Sequence, residues 1–323
     1  MIKGIQINIL AYRLVLHLNV PKHLCRGELY MVDASIVIAC RNEANNLQKT
    51  IDSILNSKGK LSYEIIVVDD GSTDGSCDFI NINKETYKHL KLVSSNERST
   101  AGTKNFGAAL ASGTYLFFCD AHVAVVDYWL EDLVETLEKN NADCISPAIK
   151  NMLGEGIGYG ATWNNNLEFT WLEKPKYAVC EILLFSGCTF GIKRDVFEAV
   201  KGFDGHFKGY GVEDQELSLK LWLFGYKVIL DSTVIINHLF KTSHTYPITS
   251  QELIYNFLCM AYSHFDLKNL AIAINIARKD SYFTDIVVKI MLNEALINQR
   301  KEYFHRRIFD ENYFFEKFNV QLR

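Results

Sequence analysis

Asp120 and His122 stand two residues apart where an apolar run ends, in YLFFCDAH at 115–122. On extended backbone, side chains at i and i+2 leave the same face. A carboxylate and an imidazole so spaced can reach one ion. His238 follows a second apolar run, Val234 to Ile236, and offers a third ligand. Oxygen and imidazole ligation with positions left open suits Mn2+; Mg2+ prefers oxygen and water. Zinc more often recruits three or four nitrogen and sulfur ligands. A lone D-x-H pair is also common in turns, and a lone strand-end histidine needs no metal. The metal reading therefore rests on Asp120, His122 and His238 together.

Two further acidic clusters could serve the same site. VVDDGSTDGS carries Asp69 and Asp70 at a strand end, where carboxylates often hydrogen-bond a nucleoside. A dinucleotide-binding oxidoreductase would need G-x-G-x-x-G after its first strand. Here CRNEANN follows that strand without a glycine, which argues against that class. In GYGVEDQELSLKLW, residues 209–222, Glu213 and Asp214 open a helix whose Leu217 and Leu221 face inward. Acids in a first helical turn also serve simply as dipole partners. The flanking glycines and Tyr210 suggest instead a tight loop presenting both acids to a cavity. Small residues around Gly187, in LFSGCTFGIKR, would let a ligand approach the backbone closely.

The elements that must position these groups follow from periodicity. ASIVIA (34–39), YEIIVVDD, KLVSSN, TYLFFCDAH and DCISPAI are short apolar runs, read as buried strands. Leu47, Ile51, Ile54 and Leu55 recur at helical spacing, as do Leu130, Leu133, Val134 and Leu137. TAGTKNFGAALASG suits a small-residue helix packed close to a sheet. Thr73 or Asp74 is expected to cap another helix. Alternating strands and helices predict an α/β fold with a mostly parallel sheet. Ligands then sit outside the carboxyl ends of the strands. Arg41-Asn42-Glu43, Asp69 to Ser72, and Asp120 to His122 should therefore converge on one crevice. Residues 151–185 are irregular, as loops that set acceptor choice often are. From about 250 onward the pattern is helical.

With 323 residues and 48% hydrophobic content, the chain can bury a full core. A formal net charge of −4 argues against a nucleic-acid binder. Eight scattered cysteines form no C-x-x-C, so no zinc ribbon or dithiol redox site is expected. Their positions in apolar runs suggest a reducing, cytoplasmic setting. No run is long enough for a spanning helix. Residues 1–32 lack a signal-peptide cleavage pattern and alternate like an added β-hairpin, the alternative being a partner-binding or membrane-touching element. NQRKEYFHRR, residues 298–307, reads as a solvated basic helix face, the alternative being a contact with acidic lipid, peripheral to the inner membrane face, or with an acidic peptide.

Residues 33 to 245 resemble family 2 glycosyltransferases of the GT-A fold. The pattern comprises Arg41-Asn42-Glu43 after the first strand, Val67 to Asp74, Lys104-Asn105, Ala111 to Tyr115, Asp120 to His122 in place of D-x-D, and Gly211 to Asp214. The D-x-H variant, the NHLFK segment at His238 and G-x-x-x-G-I-x-R at Gly187 to Arg194 are similar to polypeptide N-acetylgalactosaminyltransferases, which use D-x-H and a later histidine as manganese ligands.

The resemblance implies a GT-A domain over 33–248 and a C-terminal helical region over 249–323. It implies a nucleotide-sugar donor, a UDP-sugar above all, and a glycan, peptide or small-molecule acceptor. Asp120, His122 and His238 would hold Mn2+ or Mg2+. Arg41, Glu43, Asp69 or Asp70, Lys104, Asp120 and Gly187 would bind donor, with Asp69 favoured for the base. The Glu213-Asp214 loop is similar to that of inverting relatives, implying Asp214 as general base and Glu213 as an orienting group. The D-x-H enzymes retain configuration, so a retaining transferase is the alternative. A non-catalytic nucleotide-sugar-binding protein is another. A nucleotidyltransferase would need a Gly-rich phosphate loop after the first strand, which is missing.

Overall fold

In the computed structural model, residues 32–243 and 245–322 are described. The hairpin expected within residues 1–32 falls outside the described residues, apart from Val32.

The described residues begin with β1 (Ala34–Cys40), α1 (Asn46–Asn56), β2 (Tyr63–Asp69), α2 (Asp78–Ile82), β3 (Leu90–Ser94), α3 (Thr100–Ala109), β4 (Tyr115–Asp120). Next come β5 (Val123–Ala124), α4 (Trp129–Lys139), β6 (Cys144–Asn151), β7 (Ile157–Gly158), β8 (Ala161–Trp163), β9 (Phe169–Trp171) and β10 (Val179–Glu181). Then follow β11 (Thr189–Lys193), α5 (Arg194–Ala199), α6 (Glu213–Leu223) and β12 (Val228–His238). Five helices complete the chain: α7 (Ser250–His264), α8 (Leu267–Ala277), α9 (Phe283–Met291), α10 (Glu294–Arg306) and α11 (Glu311–Lys317).

The main sheet runs β10-β12-β6-β11-β4-β1-β2-β3. Strands β3, β2, β1 and β4 are parallel neighbours, and β12 is parallel to β6. β11 is antiparallel to both β4 and β6, so those two run the same way. The sheet is thus mostly parallel, as expected, with β11 inserted against the grain. Residues 151–185 supply only short strands, including the β8–β9 hairpin.

Neighbouring residues of each strand serve different cores. Val37 and Phe118 join one buried cluster; Ile36, Ile38, Phe117 and Cys119 join the other. That two-sided burial is why these strands read as unbroken apolar runs. The first cluster also contains Leu258, Ile286, Leu296 and Phe314, so helices α7 and α9 to α11 pack into the same core as the sheet. α3 lies close to the sheet, where a Cβ on Gly107 would come within 2.4 Å of Val37 Cγ1.

Two expectations are corrected. Neither Thr73 nor Asp74 caps a helix: α2 starts later, with Cys77 at its N-cap. Asp74 instead accepts hydrogen bonds from Ala44 N (2.9 Å) and Ser76 N (3.0 Å), which ties this loop to the one after β1. In the basic tail cluster, three arginines turn toward the protein rather than forming a solvated face. Arg300 bonds Tyr262 O and stacks on Phe304, Arg306 bonds Ala199 O, and Arg307 bonds His264 O. Among the described residues, no helix is long and apolar enough to cross a membrane.

Candidate active site

Register brings the polar clusters together. Cys40 lies beside Asp69, and Ala39 beside Asp120, at the carboxyl ends of β1, β2 and β4. Just beyond them lies a cavity of about 480 Å³, whose walls include Arg41, Glu43, Asp70, Asp120, His122 and His238.

His122 is not on extended backbone. It sits in the turn between β4 and β5, and several contacts fix it there. Its carbonyl accepts from Leu239 N at 3.0 Å, next to His238. His238 pairs with Val123 across β5 and β12, and Thr50 Oγ1 both donates to Val123 O and accepts from Val123 N. These bonds bring His238 Nε2 to 3.3 Å and His122 Nε2 to 3.9 Å from Asp120 Oδ2. One ligand atom from each of the three residues lies within 4.8 Å of the others.

The arrangement fits a divalent cation. His122 Nδ1 is 3.1 Å from Glu43 Oε2, which leaves Nε2 for an ion. A carboxylate on the far nitrogen fixes ring orientation and raises ligand basicity. Glu43 also accepts from Lys241 Nζ at 2.7 Å. Burial alone would raise the pKa of Glu43, but His122 and Lys241 outweigh it and lower it. Asp120 behaves likewise: desolvation opposes ionisation, yet the His238 hydrogen bond and the Lys104 charge, with both imidazoles, hold it far below the usual carboxylate range. His238 Nδ1 is buried without a hydrogen-bond partner.

Lys104 is fully buried beneath Asp120 and is not on the cavity wall. Its Nζ donates to Gly187 O (3.0 Å) and Glu213 Oε1 (3.4 Å) and lies 4.0 Å from Asp120 Oδ1. Burial lowers its pKa, but Glu213, Asp120 and Asp214 outweigh that and raise it. Asp214 holds the other side of Gly187, whose N–H donates to Asp214 Oδ2 at 2.9 Å. A Cβ on Gly187 would lie 3.0 Å from Asp214 Cβ, so any larger residue here would press on the Asp214 side chain. Burial, then the Glu213 charge, push the Asp214 pKa up to about 6, against partial relief from Lys104. Glu213, Asp214, Lys104 and Gly187 thus form one linked group behind the cavity wall.

The nucleoside candidates separate. Asp70 lines the cavity and its Oδ1 accepts from Ser95 Oγ (2.8 Å) and Arg98 N (3.1 Å). Asp69 is off the wall, with Oδ1 accepting from Ser72 N at 2.9 Å. Arg41 lines the cavity, with its guanidinium 5.1 Å from the centre of the Tyr246 ring.

The sequence reading missed Arg98, Phe240, Lys241 and Tyr246 as cavity residues. Only Lys241 carried a local signal, three residues after His238 in NHLFK. It also missed Asn256 of α7. Asn256 accepts from Lys208 N (2.8 Å) and donates to Lys208 O (2.8 Å) and Gly211 O (3.0 Å), clamping the loop before α6. That loop carries Gly209 and Tyr210 on the cavity wall.

The chain matches two family models: glycosyl transferase family 2 over residues 35–201, and N-terminal domain of galactosyltransferase over 173–245. It is 27% identical to polypeptide N-acetylgalactosaminyltransferase 3 of Taeniopygia guttata over 86% of this chain and 50% of the relative. It is 31% identical to polypeptide N-acetylgalactosaminyltransferase 8 of Drosophila melanogaster over 64% of this chain and 38% of the relative. The chain thus spans half or less of the length of these two relatives. The crystal structure of GalNAc-T7 with UDP, GalNAc and Mn2+ superposes with a TM-score of 0.73 and 19% identity, over 90% of this chain and 57% of that one. That likeness establishes a shared fold, the GT-A fold expected from the sequence. With the first family model covering more than half of its residues, this chain belongs to glycosyl transferase family 2.

Proposed function

We propose that this chain transfers a sugar from a UDP-sugar to a hydroxyl acceptor, with Mn2+, or less favourably Mg2+, held by Asp120, His122 and His238. The observation that carries this reading is that triad at the carboxyl edge of the sheet, opening on the 480 Å³ cavity. The polypeptide N-acetylgalactosaminyltransferase relatives, and a structural neighbour containing UDP, GalNAc and Mn2+, support it. A bound cation would supply charge neutralisation for the departing diphosphate.

The chain's own residues have distinct roles in this reading. Glu43 orients His122, and Lys241 keeps Glu43 ionised. Asp70 takes the nucleoside, with Arg41 beside it and Asp69 shaping the turn behind. Lys104 balances Asp120 and Glu213 and, with Asp214, fixes Gly187 against the donor. Asp214 acts as general base for an inverting transfer, with a pKa near the operating range, and Glu213 orients the reacting groups. Both roles require movement of the 208–214 loop to bring these acids from behind the cavity wall to the acceptor. A second reading, retention without a side-chain base, is favoured by one observation: both Asp214 oxygens accept backbone N–H groups, from Gly187 and Gln215. NMR of the product anomer separates the two.

The acceptor side is aromatic in this reading. A second hollow of about 320 Å³, lined by Ile149, Ile157, Trp171 and Phe240, shares Phe240 with the first. Trp171 and Phe240 meet edge to face at 6.0 Å and are partly exposed, which suits a peptide or glycan acceptor. The test is a panel of UDP-sugars with and without Mn2+, read by thermal shift and transfer. A shift needing both nucleotide and metal is expected. Undiminished transfer in EDTA would overturn the metal role.

A further inference from the structure

Outside the triad, a second cluster of potential ligands lies at the carboxyl ends of β1 and β2, with Cys40 on the cavity wall. Cys40 ends β1 directly beside Asp69, the last residue of β2. Cys77 precedes α2 and brings its Sγ to 3.9 Å from Cys40 Sγ. Both sulfurs and an Asp69 carboxylate oxygen lie within 4.8 Å of one another. Ser72 Oγ is 3.9 Å from Cys40 Sγ. Cys40 also forms part of the cavity wall, which provides an entry route.

We infer that Cys40, Cys77 and Asp69 form a binding site for a thiophilic divalent cation such as Zn2+. Two sulfurs each about 2.3 Å from a tetrahedral cation stand about 3.8 Å apart. The sulfurs are already at that spacing, so ligation needs little backbone movement. Two thiols in ordinary packing contact could share the spacing; the Asp69 carboxylate, whose Oδ1 also accepts from Ser72 N, adds a third potential ligand beside them. The Ser72 hydroxyl or a water completes the fourth position. On binding, each thiol loses its proton to solvent, so one cation enters and two protons leave.

The two sites differ in chemistry. Thiolates select soft cations, whereas imidazole with carboxylate also accepts Mn2+. The location gives the soft site a consequence. Residues 41–44 and 72–76 are joined by hydrogen bonds from Asn42 N to Ser72 Oγ (3.0 Å), from Glu43 N to Ser76 Oγ (2.7 Å) and from Thr73 N to Asn42 Oδ1 (2.8 Å). A cation between Cys40 and Cys77 clamps the same two loops, the first of which carries Arg41 and Glu43. The site stands whether or not the cavity takes a nucleotide sugar.

The test is titration of the full chain, reduced and stripped of metal, with Cd2+ alone and then Zn2+ alone. Cd2+ should produce the ultraviolet thiolate-to-metal charge-transfer band, saturating at one equivalent, and Zn2+ should displace it. Cys77→Ser should abolish the band and Asp69→Asn should weaken binding, while His122→Ala with His238→Ala should leave the band intact. In case Cys77→Ser fails to fold, alkylation of the unaltered chain provides a second reading, since Zn2+ should protect Cys40 and Cys77. Absence of the band in the unaltered chain, its survival in folded Cys77→Ser, or unchanged alkylation with Zn2+ would each overturn the site.

Discussion

Glu43 and His122 are joined by a 3.1 Å contact between Oε2 and Nδ1, although 79 residues separate them. The contact fixes which imidazole nitrogen faces Asp120. In the proposed reading Glu43 therefore acts on the metal through His122 rather than as a ligand. Replacing it with glutamine keeps the size but removes the charge. Glu43→Gln should weaken Mn2+ binding on the order of 10- to 100-fold, the usual cost of losing such a partner. Mn2+ titration by calorimetry checks this; an unchanged affinity would remove Glu43 from the site.

His122→Asp should shift metal preference from Mn2+ toward Mg2+ while the fold survives. The change replaces an imidazole by the oxygen donor that Mg2+ prefers. The ratio of activities in the two metals is the measurement, with the melting temperature as control. An unaltered ratio would mean that His122 is not a ligand.

If Asp214 is the general base of the proposed inverting transfer, it sets a pH dependence with a definite sign. A general base works ionised, so kcat/KM should rise with pH through about 6. Asp214→Asn should lose that limb and about 10²–10⁴-fold in rate. Stability should move the other way. The folded pKa lies above the ordinary value of 3.8, so the folded state holds its proton more tightly than the unfolded chain does. The stabilisation is fully present below about 4 and is lost as pH rises through about 6. Denaturant melts across that range should show stability falling with pH in the unaltered chain and a flatter dependence in Asp214→Asn.

Asn256 joins the C-terminal helices to the cavity through the 208–211 loop. Asn256→Ala leaves the Lys208 N–H and the Lys208, Tyr210 and Gly211 carbonyls without this side-chain partner, and because the loop is half-exposed the total cost should be on the order of 1–3 kcal/mol. Stability should fall, and KM for the donor should rise more than kcat falls, because Gly209 and Tyr210 shift on the cavity wall. Asn256→Asp should recover the Lys208 N–H contact but not the carbonyl contacts. Equal loss in KM and kcat for both variants would mean a purely structural role.

The central strands β1, β2 and β4 were readable because they are buried on both faces, and a run such as Tyr115 to Cys119 advertises that locally; the edge strand β3 is only partly buried. The strand-end clusters followed, since side-chain chemistry changes abruptly where burial stops. The resemblance favoured Asp69 over Asp70 for the base, but the sequence could not fix which of the two faces the cavity. Adjacent residues on extended backbone point to opposite faces, and only the packed sheet chooses between them. The choice in the structure is Asp70. The antiparallel β11 was equally hidden, because TFGIK gives no sign of which strands it will separate.

The sequence by itself determined the local vocabulary: alternating strands and helices, acids and histidines at strand ends, and a family pattern spread along them. Tertiary structure decided which of those groups act together. His238 meets Asp120 across 118 positions, and Lys241 meets Glu43 across 198. Such pairings depend on strand order and register, which come from burial summed over the whole sheet. Periodicity is written within a few neighbouring residues; a site assembled from distant strand ends is decided only when the core packs.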